Sequence, residues 1–518
     1  MKGESDGVLR ELEPVRLDDV EGVAAEPQWG FSPVTPTTPD TPTNLKAKEW
    51  SGDSSEDRIV KDEKGDVPTE ASPKRRCELG GPLANALGSS LGFLVIGYLT
   101  GVTSIINVVW DAIYPDGFTS DVNSRVDSAT RYGALVGLVL FGLLCDLISR
   151  KAGMLLTGLI LTIGPILLAG SYGANGSVNG MFWMITVMFG FVGVGIGGEY
   201  PAAAVTIMED SHRINAKTRG RRTGYLTWAL RMIGINSSTI VMIILLNITG
   251  THPPSDMGPA WRVALGLPAI PAAVVLMLRW WMREPEVYRD YRAQRRMQVR
   301  QMRVTLRSAM ENCKWFVRKH GRLFVGLALA NFLVEYIDVP LDTYAGTVIH
   351  DITGADAKKT AYILLAKLSY IPAAFLASWC LDYFGRKPVL LFGFAGDMIA
   401  VLLMGALFPY WDSAPAGYIV LYSAQACLET FAKAAMLVMA AEAFPTGVRA
   451  LCVGILTGFG YAGGIVGVEV FNPIVNAFST KADGFRADYL INGGAAALAI
   501  VTSFFLTTET RKRVLEEN

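Results

Sequence analysis

The chain has 518 residues, of which 51% are apolar and only 18% are charged, and its mean hydropathy is +0.32. Soluble domains carry about 25% charged residues, so this composition excludes an ordinary soluble multidomain enzyme. The 47 basic and 47 acidic residues give a net charge of zero. That balance argues against a nucleic-acid-binding protein, because such a protein needs a strongly basic face.

The first segment, residues 1–82, is predicted to be a disordered acidic tail in the cytosol. Residues 1–70 contain 17 acidic and 8 basic side chains and are rich in Pro, Thr and Ser. Such a segment cannot bury enough apolar area to offset the entropy that it would lose on ordering. No apolar stretch follows Met1, so we expect no cleavable signal peptide.

Twelve apolar stretches follow, each long enough, or nearly so, to cross about 30 Å of hydrocarbon as a helix. Their approximate centres are residues 99, 138, 161, 191, 236, 271, 335, 371, 398, 430, 461 and 497. The sequence therefore predicts an all-α membrane protein with twelve transmembrane helices, here called spans one to twelve.

A long basic connection between spans six and seven divides the spans into two sets of six. Residues 279–322 contain 13 basic and 4 acidic side chains. We expect an N-terminal six-helix bundle at 83–282, a basic cytosolic linker at 283–322, a C-terminal six-helix bundle at 323–508 and a cytosolic tail at 509–518. Lys and Arg concentrate in the connections on the linker's side, so the positive-inside rule predicts that both termini face the cytosol.

One short motif occurs after span two and again after span eight, at matched places in the two halves. The first copy contains Gly142, Asp146, Arg150 and Lys151, and the second contains Asp382, Gly385, Arg386 and Lys387. Two copies at matched positions indicate two six-helix repeats. A carboxylate beside cationic residues at a helix end can act as a charge latch, which holds one arrangement of the bundles and releases it when they move. The alternative is a solvated turn that only follows the positive-inside rule.

With these paired turns, residues 85–510 resemble a transporter of the major facilitator superfamily. The segment from Gly193 to Pro201 is similar to the Gly-Gly-Asp-Tyr-Pro stretch of phosphate:proton symporters and of the related glycerophosphodiester permeases. The resemblance implies a major facilitator fold and a secondary active transporter, not an enzyme, that needs no cofactor. It also implies a monomer in the lipid bilayer, with a small-molecule substrate and protons as its partners, and we expect the plasma membrane.

Two departures from the phosphate-importer pattern disfavour inorganic phosphate as the substrate. Span one contains no acidic residue, and span eleven has Gly460-Tyr461-Ala462-Gly463 where that pattern has a Lys. Lys433 in span ten stands where the pattern has Asn. A cation is therefore expected at a different place in the pathway.

Ionisable side chains at membrane depth are costly, and they are kept mostly where they line a pathway or pair with one another. Glu199 is the first candidate for proton coupling, because it matches the acidic position of the family and follows a run of Gly. The alternative for Glu199 is an acid at a helix end that is bonded to the backbone or to a nearby Arg. Glu335 is the second candidate, with Asn331 one turn before it and Asp338 on nearly the same stripe of span seven.

The candidate substrate-binding residues combine both signs of charge with aromatic rings. They are Tyr200, Arg231, Asn331, Asp338, Glu429, Lys433 and Tyr461. Glu429 and Lys433 stand at i, i+4, a spacing that favours a salt bridge, so Lys433 either binds a substrate anion or is neutralised by Glu429. Arg231 either holds an anion or extends toward the cytosolic side. Lys367 and Asp397 are candidates for a pair between spans eight and nine.

This mixture of charges favours a proton-coupled carrier of a phosphorylated or other small organic anion or zwitterion. A sugar-porter-like carrier stays open as an alternative, because the cytoplasmic motifs are shared with that branch. An exporter of a small secondary metabolite also stays open, because the same alternating-access architecture serves import and export. A nutrient sensor built on the transporter fold is a more remote alternative. The four His residues, at positions 212, 252, 320 and 350, show no metal-ligand spacing, so no metal site is predicted.

Overall fold

The computed structural model describes residues 82–249, 257–282, 288–289, 306–345, 348–349, 352, 365–411 and 413–511. Residues 1–81 and 512–518 lie outside the described residues, as do most of residues 283–305. The predictions of a disordered N-terminal tail and a cytosolic C-terminal end therefore concern parts of the chain that are almost entirely outside the described residues.

Twelve helices make up most of the part of the chain that the structure describes. In the N-terminal half they are α1 Pro82–Ile113, α2 Ser120–Leu147, α3 Arg150–Ala169, α4 Val178–Ile214, α5 Ala216–Thr249 and α6 Gly258–Trp281. In the C-terminal half they are α7 Leu306–Thr343, α8 Tyr370–Tyr383, α9 Arg386–Ala406, α10 Pro415–Ala443, α11 Arg449–Asn476 and α12 Lys481–Leu506. No β-strand occurs among the described residues.

Eleven of these helices are long and apolar enough to cross a membrane. The other one, α8, follows a turn of 3-10 helix at Leu365–Ser369, and residues 353–364 before it are not described. The prediction of an all-α, twelve-helix membrane fold is confirmed. Helix α7 begins at Leu306, so the last part of the predicted linker 283–322 is helical, since no Pro interrupts the chain between 306 and 322.

The two halves pack as matched six-helix bundles. In the N-terminal bundle α1 packs on α5 and α2 on α4, and in the C-terminal bundle α7 packs on α11 and α8 on α10 in the same way. The bundles meet through α2 with α11 and through α5 with α8. Glycines permit these close contacts, because a Cβ added at Gly454 would overlap the Leu138 backbone and one added at Gly224 would overlap Ser378.

Candidate functional site

A cavity of about 150 Å³ lies between the two bundles. The N-terminal bundle lines it from α1, α2, α4 and α5, and the C-terminal bundle lines it from α7, α8, α10 and α11. Eight of the nine residues predicted for proton coupling or substrate binding line this cavity: Tyr200, Arg231, Asn331, Glu335, Asp338, Glu429, Lys433 and Tyr461. The fold therefore brings residues from both halves of the chain to one central site.

Lys433 lies at the centre of a group of carboxylates on the C-terminal wall, here called the Lys433 cluster. Its ammonium group contacts the carboxylate of Asp338 and lies 2.5 Å from Glu429 Oε1 and 3.2 Å from Glu335 Oε1. The Glu335 side chain is 28% exposed, whereas Lys433, Asp338 and Glu429 are buried. Three carboxylates therefore share one ammonium ion, which favours the interpretation of Lys433 as a neutralised group over that of a free anion site.

Arg231 faces the same cavity from the N-terminal wall. Its guanidinium lies over the ring of Trp228, 5.0 Å from the centroid, and close to Tyr200 and Tyr461, whose ring centroids are 6.5 Å apart. Among the described residues no carboxylate lies within ion-pair distance of Arg231, and its buried Nε donates no hydrogen bond. A guanidinium with spare donors beside a cavity is a site that a carboxylate or phosphate can occupy.

The α1 side of the N-terminal wall is polar but uncharged. It presents Thr100, Thr103 and Asn107 to the cavity. The Thr100 hydroxyl donates to the Ile96 carbonyl at 2.6 Å, and the Thr103 hydroxyl donates to the Thr100 carbonyl at 2.7 Å. Because each hydroxyl donates within its own helix, its lone pairs stay free to accept hydrogen bonds from a bound hydroxyl group.

An ion pair that the sequence analysis missed lies on α2 beside the cavity, and Thr343 on α7 links it to the C-terminal bundle. Arg131 Nη1 lies 2.7 Å from Asp127 Oδ2, four residues earlier on α2. The Thr343 hydroxyl on α7 accepts from Arg131 at 3.1 Å and donates to Asp127 at 3.2 Å. The available signal was the i, i+4 spacing of an acid and a base near the start of span two.

The expected pair of Lys367 with Asp397 does not form. Lys367 lies 2.7 Å from Asp342, to which Tyr422 also donates a hydrogen bond at 2.9 Å. Asp397 instead accepts a hydrogen bond from the side chain of Gln425 at 2.7 Å. The interpretation was wrong because Asp397 points into the bundle between α9 and α10, whereas Lys367 lines the cavity.

Glu199 does not line the cavity. It is fully buried inside the N-terminal bundle, where Arg279 contacts one oxygen and donates to the other at 3.0 Å, and Thr157 donates at 2.9 Å. A Cβ added at Gly92 on α1 would overlap the carboxylate, so this helix covers it as well. The expectation of a proton carrier facing the central seam does not fit this placement, whereas the alternative of an acid bonded to an Arg does. Arg279 was missed as a partner because it is the first residue of the basic stretch 279–322, which was read as a cytosolic connection.

The first copy of the motif forms a latch between the bundles. Asp146 at the end of α2 accepts hydrogen bonds from two backbone N–H groups at the start of α11, at 3.2 and 2.8 Å. Arg150 lies 2.8 Å from Asp146 and 3.1 Å from Glu209, and Arg449 on α11 lies 2.9 Å from the same Glu209 oxygen. Negative charge at a helix N-terminus is favourable, so both the backbone and the side chains hold α2 against α11.

The second copy repeats this arrangement with the bundles exchanged. Asp382 at the end of α8 accepts from the backbone N–H of Arg221 near the start of α5, at 2.8 Å. Glu442 lies 2.7 Å from Arg386 in its own bundle and 2.8 Å from Arg219 in the other bundle. The latch interpretation therefore fits the structure better than that of a solvated turn, because the arginines of both latches are buried and each latch contains one ion pair across the bundles.

The two lysines of the motif each bond within their own bundle, whereas Gly142 lies against the other bundle. Lys151 donates to the Trp280 carbonyl at 2.8 Å, and Lys387 donates to the Phe504 carbonyl at 2.7 Å. These carbonyls lie at the ends of α6 and α12, where a cation is favourable. Gly385 has φ = +109°, a conformation that Gly adopts most readily. At Gly142 an added Cβ would lie only 3.0 Å from the Cα of Leu451 on α11.

Both latches lie at one end of the molecule, here called the latch end. None of the latch residues lines the cavity. On α10 the apolar residues Met436, Leu437 and Ala440 line the cavity between Lys433 and the latch residue Glu442. At the opposite end, the lining continues to Arg131 in the first half of α2 and to Thr343 at the end of α7. The cavity therefore stops short of the latch residues and extends from the centre toward the end opposite to them.

Comparison with known proteins shows the family. A family model described as "Sugar (and other) transporter" matches residues 85–518. Glycerophosphoinositol transporter 1 of Saccharomyces cerevisiae is 27% identical over 473 residues, which cover 89% of this chain and 86% of that protein. The MFS-type transporter lnaF of Aspergillus flavus is 25% identical over 427 residues, which cover 82% of each chain.

A solved structure shows the same fold. It is the structure of the MFS (major facilitator superfamily) proton:xylose symporter XylE bound to 6-bromo-6-deoxy-D-glucose, with a TM-score of 0.68 at 20% identity over 84% of this chain and 98% of that one. At this identity the likeness concerns the fold alone. Together with the match over residues 85–518, it means that the chain belongs to the sugar (and other) transporter family of the major facilitator superfamily, as a multi-pass membrane transporter and not an enzyme.

Proposed function

We propose that the protein is a proton-coupled carrier of a small organic phosphate ester, with glycerophosphodiesters as the favoured class. The observation that carries the proposal is that Arg231 faces the cavity with no carboxylate partner in the described part of the chain. Among the described residues that line the cavity, it is the one cation without a carboxylate partner, whereas Arg131, Lys367 and Lys433 are each paired. A bound anion would supply the missing partner.

The two ends of a glycerophosphodiester would contact different surfaces of this cavity. The phosphate would bind Arg231, with Tyr200 and Tyr461 beside it. The hydroxyl-bearing part would extend along Thr100 and Thr103 on α1. The similarity to the S. cerevisiae relative, a glycerophosphoinositol transporter, supports this class of substrate. Inorganic phosphate would leave this side of the cavity, here called the hydroxyl wall and formed by Thr100 and Thr103, without a ligand.

The proposal of proton coupling rests on the charges around Lys433. When Glu335, Asp338 and Glu429 are all ionised, three carboxylates and one ammonium ion leave two negative charges uncompensated at membrane depth, which is costly. A proton on one carboxylate reduces that cost, and Glu335 is the most exposed of the three. An incoming anion adds negative charge, so a proton taken up with it keeps the loaded cavity close to its resting charge.

We also propose that the carrier acts as a monomer in the plasma membrane, with both termini and the latch end in the cytosol. The concentration of Lys and Arg in the connections at the latch end supports this orientation. The cavity would then face the outside, ready to accept an external substrate. Sequons at Asn175 and Asn247 lie away from the latch end, so glycan attachment there would test the orientation.

The experiment that tests the function is uptake by purified protein in liposomes under an imposed pH gradient, acidic outside. The labelled probes are glycerophosphocholine, glycerophosphoinositol, inorganic phosphate and xylose. We expect the diesters to accumulate, a protonophore to abolish that accumulation, and phosphate and xylose to enter poorly. Accumulation of xylose alone would contradict the proposal and favour the second candidate, a neutral-sugar carrier, for which the uncharged hydroxyl wall is the supporting observation.

Two variants, each with a matched control, test anion binding and proton coupling separately. Arg231→Gln should lower diester uptake about 10- to 100-fold, because a hydrogen bond to a charged group contributes about 1.5–3 kcal/mol. Arg262→Gln is its control, since Arg262 donates to the carbonyls of Ala169 and Ser171 and does not line the cavity. Unchanged diester uptake by Arg231→Gln would contradict the proposal that Arg231 binds the phosphate of the substrate.

The proton-coupling part is tested by Glu335→Gln. This variant should still exchange diester across the membrane but should no longer accumulate it in response to the pH gradient. Its control is Glu469→Gln, because Glu469 lies 3.5 Å from Ser128 and does not line the cavity. Accumulation by Glu335→Gln at the wild-type level would assign the proton to another residue.

A further inference from the structure

Asp397 on α9 is a buried acid that has no part in the anion binding and proton coupling proposed above. Its residue is 0% exposed. Oδ1 accepts a hydrogen bond from Gln425 Nε2 at 2.7 Å, but Oδ2 is buried and has no hydrogen-bond partner among the described residues. A buried carboxylate oxygen without a donor carries an uncompensated desolvation cost. A proton on Oδ2 would remove that cost.

The position of Gln425 connects Asp397 to the Lys433 cluster. Gln425, Glu429 and Lys433 stand at i, i+4 and i+8 on α10, and they therefore follow one stripe of that helix. Glu429 and Lys433 line the cavity, whereas Gln425 and Asp397 do not. The buried polar groups thus continue from the cavity wall into the interior of the C-terminal bundle.

The charged groups around Asp397 belong mainly to this cluster. Asp397 is close enough to feel the charges of Asp338 on α7 and Lys433 on α10, and its own charge would act on Glu429. Two other helices pack against α9, and their acids already have partners: Asp488 on α12 accepts from Asn492 at 3.0 Å, and Asp382 on α8 belongs to the second latch. A change of protonation at Asp397 would therefore be felt first by the Lys433 cluster.

We infer that Asp397 is a second proton-binding residue of this carrier, an inference that rests on the proton coupling proposed above. With the latches closed, the proton is on Oδ2 and Asp397 is neutral. It leaves by passing to the carboxylate of Glu429, so that Asp397 becomes ionised, Glu429 becomes neutral and the total charge of the buried groups is unchanged. Because Asp397 does not line the cavity, it exchanges protons with the cluster and not directly with water.

The test is Asp397→Asn in the full chain, reconstituted in liposomes and assayed with labelled glycerophosphocholine. Asn keeps the shape of the side chain and can still accept from Gln425, but it cannot titrate. We expect the ratio of protons to substrate to fall and the curve of uptake against external pH to become shallower. The matched control is Asp488→Asn, the same change at a buried acid away from the cluster, which should keep the wild-type ratio.

A wild-type ratio and a wild-type pH curve in Asp397→Asn would overturn the inference and leave Asp397 as a link between α9 and α10. If this variant does not fold, Gln425→Leu replaces it: a shifted midpoint of the pH curve supports the inference, and an unchanged midpoint overturns it. Failure of the proposed function would look different, because wild-type uptake itself would then ignore the pH gradient. A pH-driven wild type with an unaltered Asp397→Asn removes only the role of Asp397.

Discussion

Glu199 in the N-terminal bundle and the Lys433 cluster in the C-terminal bundle are both groups of buried charge, but they differ in how their charges are matched. One carboxylate meets one guanidinium at Glu199, and neither side chain is exposed. At Lys433 three carboxylates share one ammonium ion beside the cavity. A matched pair holds helices together, whereas an unmatched group next to water has a charge that can change. Charge balance and access to the cavity, more than depth in the membrane, distinguish the two sites.

The largest effect is expected from breaking the matched pair. Glu199→Gln leaves Arg279 buried without a counter-charge, and removing one partner of a buried ion pair costs about 3–5 kcal/mol. We expect a strongly lowered unfolding temperature in detergent, while the folded fraction keeps pH-driven uptake. The double variant Glu199→Gln/Arg279→Met, which removes both charges, should recover much of the lost stability. Normal stability combined with lost pH dependence would make Glu199 a proton carrier after all.

A loss of transport is expected from removing the cation of the unmatched cluster. Lys433→Met leaves three carboxylates facing one another, and at neutral pH uptake should fall about 100-fold, the equivalent of about 3 kcal/mol. Part of the activity should return at acidic pH, because protons then replace the ammonium ion. Lys367→Met is the control, since it removes the cation only from Asp342, which is 31% exposed and keeps the hydrogen bond from Tyr422. A loss that is the same at every pH would argue that Lys433 acts only in packing.

The latches provide a second matched arrangement, between the bundles. Glu209→Gln and Glu442→Gln each weaken two arginine contacts that include one across the bundles. We expect each to raise maleimide labelling of Cys452 about 5- to 10-fold, because a shift of about 1–1.4 kcal/mol toward the open latch exposes this buried thiol on α11. Similar increases in both variants would support two equivalent latches. Unchanged labelling in both would mean that these pairs serve folding and not gating.

The smallest effect is expected at Gly142, where the motif touches α11. In Gly142→Ala the new methyl would lie 3.0 Å from the Cα of Leu451, so α2 and α11 must separate by a few tenths of an ångström. Overpacking of about 1 kcal/mol should raise Cys452 labelling about fivefold. Gly458→Ala is the control, because its methyl would meet only the Leu135 side chain at 3.6 Å. A larger effect at Gly458 than at Gly142 would contradict this account of the contact.

The location of the cavity was largely predictable. Eight candidate residues meet there because each stands near the middle of an apolar span, and two bundles built from the same repeat place the middles of their helices around a common centre. Glu199 was the exception. Its neighbour Tyr200 does line the cavity, but a step of one residue turns a side chain by about 100° on a helix, and this rotation takes Glu199 into the bundle.

By itself, the sequence determined the class of protein, the number of membrane helices, the division into two halves and the position of the paired motif. These features depend on the length of apolar stretches and on repetition along the chain, which are local and periodic signals. Only the tertiary structure decided which charges meet: Glu199 with Arg279, Lys433 with three acids, and Asp146 with the start of α11. Such pairings depend on how each helix is rotated and how deep it lies in the packed bundle. Small residues and interlocking side chains determine this rotation and depth, whereas the pattern of hydrophobicity does not.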